Sequence, residues 1–360
     1  MPGLQIPFTG LKKQYNNLRT EILDITDEVL RSGQLMSGNY TVEFENWLAK
    51  RNNCKYAVTC HSGSQALEII AEYYRQQTSV TPPRAVIPSM TYVATANAFI
   101  RAGWEVYIAD TDQYGILDSK KIPTDLSVHA IVLVGLYGAS VEQFSDRFWS
   151  TELIIEDGAQ HWLANKGIRV GNACAISFDP MKNLNAYGNG GAVVTDDIDL
   201  LEFAREWTNN GKPKHTNIGT NSRMSEIECA QMMVKTQHID SWQQRRAEIA
   251  RYWISRLKNS GIRSLIDTKN FETHAYHKFV IETDNRDILQ RNLDLKHIET
   301  RIHYKEPLHE LPAYSSYSSP DILSVSSALS RRVLSLPMYP ELSDLEVEYI
   351  IDSVLDSSLS

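Results

Sequence analysis

Lys182 stands in a segment that could turn a lysine into a nucleophile. The run SFDPMKNLNAYGNGG places it after an apolar stretch and before a glycine-rich turn that leads into GAVVTD. A lysine taken at random is a solvated surface charge, so the residue type alone indicates little. Here the glycines permit tight turns, and Ser177 and Asn183 are small polar neighbours. A lysine held in such a polar crevice, with its amine made less basic by burial, can form a Schiff base.

Asp157 ends the apolar run ELIIED, and Gln160 follows three residues later. A carboxylate in this position is typical of a cap, and that interpretation stays open from the residues alone. The functional alternative is that Asp157 lies against the nitrogen of a pyridine ring and keeps it protonated, so that the ring accepts electrons from a carbanion. Gln160 would then reach the phenolic oxygen of the same ring.

The run HSGSQALEII changes from strand-like to helical character around Gly63 and Ser64. Ser64 or Ser62 would satisfy a simple helix N-cap. The same geometry presents unpaired backbone N–H groups and the positive end of the helix dipole, which together suit a phosphate, and both interpretations can hold at once. Tyr92, in PSMTYVATANA, opens another helix, and its type fits a core aromatic as well as a platform for a cofactor ring.

Seven short β-rich runs between residues 55 and 235 have to position these side chains. They alternate with helical patterns and read YAVTC, RAVIPS, EVYIAD, AIVLVGLYG, ELIIED, ACAISF and GAVVTD. This alternation predicts an α/β fold with a mainly parallel sheet and helices on both faces. Loops at the carboxyl ends of parallel strands form the ligand crevice, so the distant polar segments would meet there. No GxGxxG opens a helix after a first strand, so a dinucleotide site is not indicated.

The pattern changes in the last third of the chain. Residues 222–257 lack proline and carry apolar residues at helical spacing, which predicts a long helical connection. The run HKFVIET, a helix from about Arg286, the run HIETRIHY and a final helix over residues 344–355 follow it. The sequence therefore predicts a large domain over residues 1–240 and a small α+β domain over residues 241–360.

Composition and charge exclude several classes of function. The 360 residues are 42% hydrophobic and 22% charged, which is typical of a folded globular protein. The net charge of −8, without any lysine- or arginine-rich block, argues against nucleic acid as a partner. No apolar stretch approaches the roughly 20 residues of a membrane span and the N-terminus shows no secretion signal, so we expect a cytoplasmic protein. The four cysteines lack metal-ligand spacing, so we expect reduced thiols and no metal.

Six segments resemble, in order and spacing, the sugar-nucleotide aminotransferases of the DegT/StrS family. They are HSGSQAL, PSMTYVATANA, IIEDGAQ, SFDPMKNLNAYGNGGAVVTDD, GTNSRMSEIECAQ and RIHYKEPLHELPAY, and the N-terminal SGQLMSGNYTVEFE extends the likeness over nearly the whole chain. The resemblance implies a fold-type I enzyme, with a large domain built on a mixed, mostly parallel sheet and a small C-terminal α+β domain. It also implies pyridoxal 5'-phosphate as cofactor and a homodimer whose active sites lie at the subunit interface.

The resemblance also implies a role for each matched position. Lys182 would carry the cofactor, while Asp157, Gln160 and Tyr92 would contact its pyridine nitrogen, its ring oxygen and its ring face. The other matched positions are a phosphate cradle of Ser64, Gln65 and Ser177 next to Gly63, Asn221 as a donor to the phosphate of the other subunit, and His303 with Tyr304 near the sugar-nucleotide pocket.

The chain departs from the family pattern at positions near the cofactor. Family members usually have a histidine before LYG, where this chain has Gly135, so we expect whatever that histidine contributes to be missing. His161 and Trp162 follow the Gln160 motif, where small residues or a later histidine are common in the family, and this predicts a reshaped wall beside the cofactor. Met181 stands where the family often has a threonine before the lysine.

The implied reaction is transfer of an amino group from L-glutamate to a ketosugar carried on a nucleotide, with dTDP favoured. NSRMSEIECAQ, VKTQHIDSW and IETRIHYKEPLHELPAY look more similar to the branch that aminates 3-keto-6-deoxyhexoses than to the 4-keto branch, so carbon 3 is favoured and carbon 4 stays open. Sugar dehydratases of this fold look to have a histidine at the lysine position, and Lys182 argues against that activity. A sensor that binds the cofactor without turnover is the alternative of another class.

Overall fold

The computed structural model describes residues 4–141, 153–164, 169–317 and 323–358, and this part of the chain has ten strands and ten α-helices. The strands are β1 (Tyr56–Cys60), β2 (Arg84–Pro88), β3 (Glu105–Ala109), β4 (Ala130–Val134), β5 (Ile154–Asp157), β6 (Ala173–Ser177), β7 (Gly191–Thr195), β8 (Arg263–Ser264), β9 (Phe279–Glu282) and β10 (Val333–Leu336). The helices are α1 (Leu11–Ser32), α2 (Asn39–Arg51), α3 (Gly63–Gln77), α4 (Val93–Arg101), α5 (Ile198–Trp207), α6 (Glu226–Thr236), α7 (Ile239–Leu257), α8 (Arg286–Leu295), α9 (Ser324–Arg332) and α10 (Asp344–Ser358).

The first seven strands form one sheet in the order β1-β7-β6-β5-β4-β2-β3, here called the large sheet. The five strands from β6 to β3 are parallel to their neighbours, and β7 runs antiparallel to both β1 and β6. Each of the seven runs predicted as strands contains one of these strands, and the mostly parallel α/β fold is confirmed. The first residue of ELIIED, at position 152, lies outside the described residues.

Alternating side chains of the large sheet bury one apolar layer on each of its faces. In β6, Ala173 and Ala175 belong to one layer, and Cys174 and Ile176 belong to the other. Helices α3 and α4 contribute to the first layer, and α2 and α6 contribute to the second. The prediction of helices on both faces is therefore confirmed.

The C-terminal part of the chain forms a second, antiparallel sheet in the order β10-β9-β8. Helices α7, α8 and α10 pack with it around Trp253 and Phe279, which are fully buried. The N-terminal segment joins the same core, because Ile6 is buried there and forms a bridge with Ile298. The expected domain boundary near residue 240 falls at the second residue of α7 and stays a prediction.

The helical connection expected over residues 222–257 is confirmed and consists of two helices. α6 starts with a capping box formed by Ser225 and Glu228 and ends at Thr236, and α7 begins at Ile239. The apolar periodicity continues across the short turn between them, which contains neither glycine nor proline.

Two general features bear on the classes of function considered above. Within the described ranges, no helix combines the length and the apolar character that a membrane crossing requires. The four cysteines are free thiols, and three of them are buried.

Candidate active site

A cavity of about 350 Å³ opens at the edge of the large sheet where β1, β5 and β6 end. These ends meet because Gly191, at the start of β7, lies opposite Cys60 of β1 on one side and Ser177 of β6 on the other. Ligand crevices form at this carboxyl edge of parallel strands, and the volume suits a small-molecule cofactor. The cavity is lined by nine of the eleven residues singled out from the sequence: Gly63, Ser64, Tyr92, Asp157, Gln160, Ser177, Lys182, His303 and Tyr304.

The Lys182 side chain reaches this cavity from the loop that follows β6. Its backbone N–H donates to the Asp179 carbonyl oxygen at 2.9 Å, which fixes the start of the loop. Burial of the amine lowers the pKa of Lys182 from its usual value, and the negative charges of Asp157 and Asp179 oppose this shift only in part. A larger fraction of the amine is therefore neutral near pH 7 than for a lysine in water, as nucleophilic attack requires.

Asp157, the last residue of β5, is only 4% exposed, and both of its carboxylate oxygens accept hydrogen bonds. Oδ2 accepts from the Thr95 hydroxyl at 2.6 Å, and Oδ1 accepts from the Ala159 N–H at 3.2 Å. The Thr95 hydroxyl also shares a hydrogen bond of 2.9 Å with Thr91. The contact of Oδ1 with the Ala159 N–H is the turn contact that the capping interpretation predicts. The contact of Oδ2 with Thr95 fixes the carboxylate beside the cavity. Neither threonine was singled out from the sequence, although their spacing in MTYVATANA puts both at the start of α4.

Gln160 connects the turn after β5 with the segments around Tyr137 and Tyr304. Its Oε1 accepts from the Tyr137 N–H at 2.8 Å, and its Nε2 donates to the Tyr304 hydroxyl at 3.1 Å. The Tyr137 hydroxyl donates to the carbonyl oxygen of His303. Tyr92 is 55% exposed and its ring centroid lies 6.2 Å from that of Tyr304, so a core position for Tyr92 is excluded. Tyr137 is a further residue that the sequence did not single out.

Helix α3 begins next to the end of β6, at one end of the cavity. Ser62 is its N-cap, since its Oγ accepts from the Gln65 N–H at 3.1 Å. A Cβ on Gly63 would lie 2.6 Å from the Cβ of Ser177, and a Cβ on Gly191 would lie 2.3 Å from the carbonyl carbon of Ser62. Glycine is therefore required where α3, β6 and β7 touch. The positive end of the helix and the hydroxyl-bearing end of β6 together form a cradle that fits a phosphate.

Gln65 and Asn221 are the two predicted residues that this chain does not bring to the cavity. The side-chain amide of Gln65 donates to the carboxylate of Glu68 at 3.1 Å. Asn221 is exposed and forms an antiparallel bridge with Asn209. Its expected role concerns a second subunit, and the roles of both residues stay predictions.

Gly135 stands where family members usually have a histidine. In the structure, the imidazole of His161 fills the space beside Gly135. The Nδ1 of His161 accepts from the Gly135 N–H at 3.0 Å, and its Nε2 lies 3.1 Å from a carboxylate oxygen of Glu156. A Cβ on Gly135 would lie 2.5 Å from both Cβ and Cγ of His161. Burial favours the neutral form of Glu156, but the hydrogen bonds that Glu156 accepts from His161, Gly171 and Val170 together outweigh it and lower the pKa of Glu156. Position 135 is therefore restricted to glycine by a histidine that comes from elsewhere in the chain.

The other departures from the family pattern differ in their relation to the cavity. Trp162 is buried and packs edge-on against Trp47 and Phe178. Neither it nor His161 lies on the cavity surface, so the structure does not show the reshaped wall expected from these two residues. Met181 does line the cavity, next to the lysine.

The fold and these contacts together define a class of protein. A lysine amine of lowered pKa, a buried carboxylate and a helix N-terminus converge at the carboxyl edge of a mostly parallel sheet. These groups fit the carbonyl, the ring nitrogen and the phosphate of pyridoxal phosphate, respectively. The class is that of the fold-type I aminotransferases.

Comparisons with known proteins identify the family. The model of the DegT/DnrJ/EryC1/StrS aminotransferase family matches residues 16–355. The chain is 32% identical to dTDP-3-amino-3,4,6-trideoxy-alpha-D-glucose transaminase of Streptomyces venezuelae, over 97% of this chain and 95% of that protein. It is 35% identical to erythromycin biosynthesis sensory transduction protein EryC1 of Saccharopolyspora erythraea, over 97% and 98%.

A solved structure extends this likeness to three dimensions. The crystal structure of S. venezuelae DesV in complex with a ketimine intermediate superposes with a TM-score of 0.91 at 32% identity, over 99% of this chain and 100% of that one. The chain belongs to the DegT/DnrJ/EryC1/StrS aminotransferase family and is a pyridoxal-phosphate-dependent sugar aminotransferase.

Proposed function

We propose that this enzyme transfers the amino group of L-glutamate to a nucleotide-linked keto-6-deoxysugar, with pyridoxal phosphate attached at Lys182. One observation carries this proposal: the Lys182 amine and the buried Asp157 carboxylate line the same cavity, beside the N-terminus of α3. When bound, the cofactor supplies a carbonyl that exchanges amino groups and a ring that stabilises a carbanion. The overall reaction converts L-glutamate and the ketosugar into 2-oxoglutarate and the aminosugar.

Each lining residue has a task that follows from its contacts. Lys182 would hold the cofactor through Nζ, and the same nitrogen would move the proton at the donor's α-carbon. Asp157, oriented by Thr95, holds a proton on the ring nitrogen. Gln160 is held by Tyr137 and Tyr304, and the second N–H of its amide would donate to the ring oxygen. The remaining contacts come from Tyr92 at the ring face and from Gly63, Ser64 and Ser177 at the phosphate.

We propose carbon 3 of a dTDP-linked sugar as the position that is aminated. The support is the likeness of NSRMSEIECAQ and IETRIHYKEPLHELPAY to the 3-keto branch, together with the S. venezuelae relative, which is named as a transaminase of a 3-amino sugar. His303 and Tyr304 line the same cavity, which suits contact with the sugar.

Paired substrates test the position. Purified enzyme and L-glutamate are incubated with 3-keto and with 4-keto dTDP-6-deoxysugars, and the aminated carbon is identified by NMR. Amination of the 3-keto sugar supports the proposal, and amination of the 4-keto sugar alone contradicts it. No amination of any nucleotide ketosugar by fully loaded protein would instead favour a sensor, in line with the EryC1 relative, which is named as a sensory transduction protein.

We also propose that two subunits share each active site, with Asn221 of one chain completing the phosphate site of the other. A dianionic phosphate needs several donors, and the helix end and Ser177 supply only some of them. Asn221 is exposed in the loop before α6, and Ile218 in the same loop is 93% exposed. Both side chains are therefore accessible to a second chain.

Complementation between two inactive variants tests the shared site. A heterodimer of the Asn221→Asp and Lys182→Ala chains has two active sites. If Asn221 acts in trans, one site combines the unchanged Lys182 with the unchanged Asn221, and the other site carries both substitutions. Mixing the variants under conditions that exchange subunits should then restore at most about a quarter of wild-type activity. If Asn221 acts within its own chain, each site keeps one change and no activity returns, which would refute the proposal.

A further inference from the structure

Lys278 is a buried lysine that the proposed reaction has not yet used. It stands immediately before β9, is 6% exposed, and its backbone N–H donates to the Tyr137 carbonyl oxygen at 3.0 Å. Its side chain lines the active-site cavity, and its ammonium lies 5.3 Å from the ring centroid of Phe8. In the part of the chain that the structure describes, no carboxylate oxygen lies within 4.0 Å of this ammonium. An unpaired buried ammonium is costly to a fold, so its position calls for an anionic partner.

The surroundings of Lys278 are positive. Burial, together with the charges of Lys182 and Arg246, lowers the pKa of Lys278 to about 7, and the charge of Asp179 opposes this shift only in part. The neighbouring His303 does not add to this charge at neutral pH, because burial and the ammonium of Lys278 lower the pKa of His303 to about 2. An anion bound here would hold the proton on Lys278.

Among the described residues that line the cavity, Lys278 is the lysine that is not assigned to the cofactor. In the loaded enzyme the cofactor carbonyl would engage the Lys182 amine, and the phosphate would bind where α3 and Ser177 provide donors. The amino donor must bring its α-carbon within reach of Lys182 Nζ, which moves the proton at that carbon. The α-carboxylate is bonded to the same carbon, so its counter-ion has to lie on the same cavity as Lys182, as Lys278 does.

We propose that Lys278 binds the α-carboxylate of the amino donor. This inference rests on the proposed transamination, and it names the group that selects an amino acid as donor. A carboxylate or phosphate of the sugar nucleotide has the same chemistry, so the experiment has to separate the donor from the acceptor.

The experiment follows the two halves of the reaction separately in the loaded enzyme. The first half is the absorbance change on adding L-glutamate, and the second is its reversal on adding the ketosugar to the aminated form. Binding without reaction is measured by calorimetry with glutarate, which keeps both carboxylates but has no amino group. The variants are Lys278→Met, which keeps the apolar stem, and Lys278→Arg, which keeps the charge. Lys235→Met is the matched control, because Lys235 is also fully buried but donates to the Asn185 carbonyl oxygen outside the cavity.

Loss of a charged hydrogen bond predicts a dissociation constant about 10- to 100-fold higher for L-glutamate and glutarate in Lys278→Met. The sugar half-reaction should change less than about threefold, Lys278→Arg should recover most of the loss, and Lys235→Met should bind both ligands like the wild type. Unchanged binding of glutamate and glutarate in Lys278→Met would overturn the inference.

Two further outcomes would also overturn the inference. A loss confined to the sugar half-reaction would assign Lys278 to the acceptor, and a loss of pyridoxal phosphate from the protein would assign it to the cofactor. If glutamate fails to react even with the wild type, the proposed function fails, whereas the glutarate titration still decides whether Lys278 binds a carboxylate. Lys278→Gln replaces Lys278→Met in the same comparison if circular dichroism shows that the methionine variant is unfolded.

Discussion

Replacing Asp157 with asparagine removes one negative charge from the active site with little change in shape. The asparagine oxygen can still accept from the Thr95 hydroxyl, which lies 2.6 Å from the carboxylate. The asparagine amide group, which then faces the Ala159 N–H, cannot accept that hydrogen bond, and a single neutral hydrogen bond contributes about 1 kcal/mol to stability. The free energy of unfolding should therefore fall by only about 1 kcal/mol.

The effect on catalysis should be much larger, because Asp157 is only 4% exposed. Exposed ion pairs contribute about 0–1 kcal/mol, whereas removing one partner of a buried pair costs about 3–5 kcal/mol. Since each 1.36 kcal/mol is a factor of ten, kcat/KM should fall about 150- to 5,000-fold when the ring nitrogen loses its partner. Pyridoxal phosphate should still bind through Lys182 and the phosphate cradle.

The assay is the rate at which the loaded enzyme is converted by L-glutamate, with cofactor content measured by absorbance. The control is Asp196→Asn, because Asp196 is exposed at the opposite edge of the large sheet, where its carboxylate accepts from the Lys55 N–H at 2.8 Å. That variant should react like the wild type. A fall of less than about tenfold for Asp157→Asn at full cofactor content would refute the role assigned to Asp157.

Three further changes test the packing around the site. Gly135→Ala places a Cβ 2.1 Å from the Ala139 carbonyl oxygen and should lower the free energy of unfolding by about 3 kcal/mol in urea titrations. A decrease below about 0.5 kcal/mol would contradict the contact. Gly63→Ala places a Cβ 2.6 Å from that of Ser177 and should raise the dissociation constant of pyridoxal phosphate about tenfold, whereas unchanged affinity would argue against the cradle. Burial lowers the pKa of Lys235 to about 7, whereas a lysine in the unfolded chain has a pKa of about 10.4. Between these two pH values the unfolded state binds more protons than the folded state, so the free energy of unfolding should rise with pH there. Lys235→Met should lose that part of the rise, and equal pH slopes for wild type and variant would count against it.

The sequence predicted the parts of the site that depend on strand order. The apolar runs ending at Asp157 and Ser177 were recognisable as strands, and a parallel sheet places their ends at one edge. The loop that carries Lys182 follows directly from the second of these strands. The positions of these three residues on one cavity could therefore be anticipated without coordinates.

Contacts between distant segments could not be predicted in this way. The hydrogen bond from Thr95 to Asp157 joins residues 62 positions apart, and a threonine in a helical run gives no signal of it. The contact between His161 and Gly135 likewise depends on how a turn packs against the end of β4. Lys278 was overlooked because a lysine before a strand reads as a surface charge, and only the fold shows that it is buried.

The most direct test of the proposed function is to locate the lysine that binds the cofactor. Borohydride reduction of the enzyme loaded with pyridoxal phosphate fixes the cofactor to its lysine, and peptide mapping by mass spectrometry then identifies the modified residue. We predict a single phosphopyridoxyl group on Lys182, which disappears in Lys182→Ala. A modification on Lys278 or any other lysine in the wild type, with Lys182 unmodified, would contradict the proposed function.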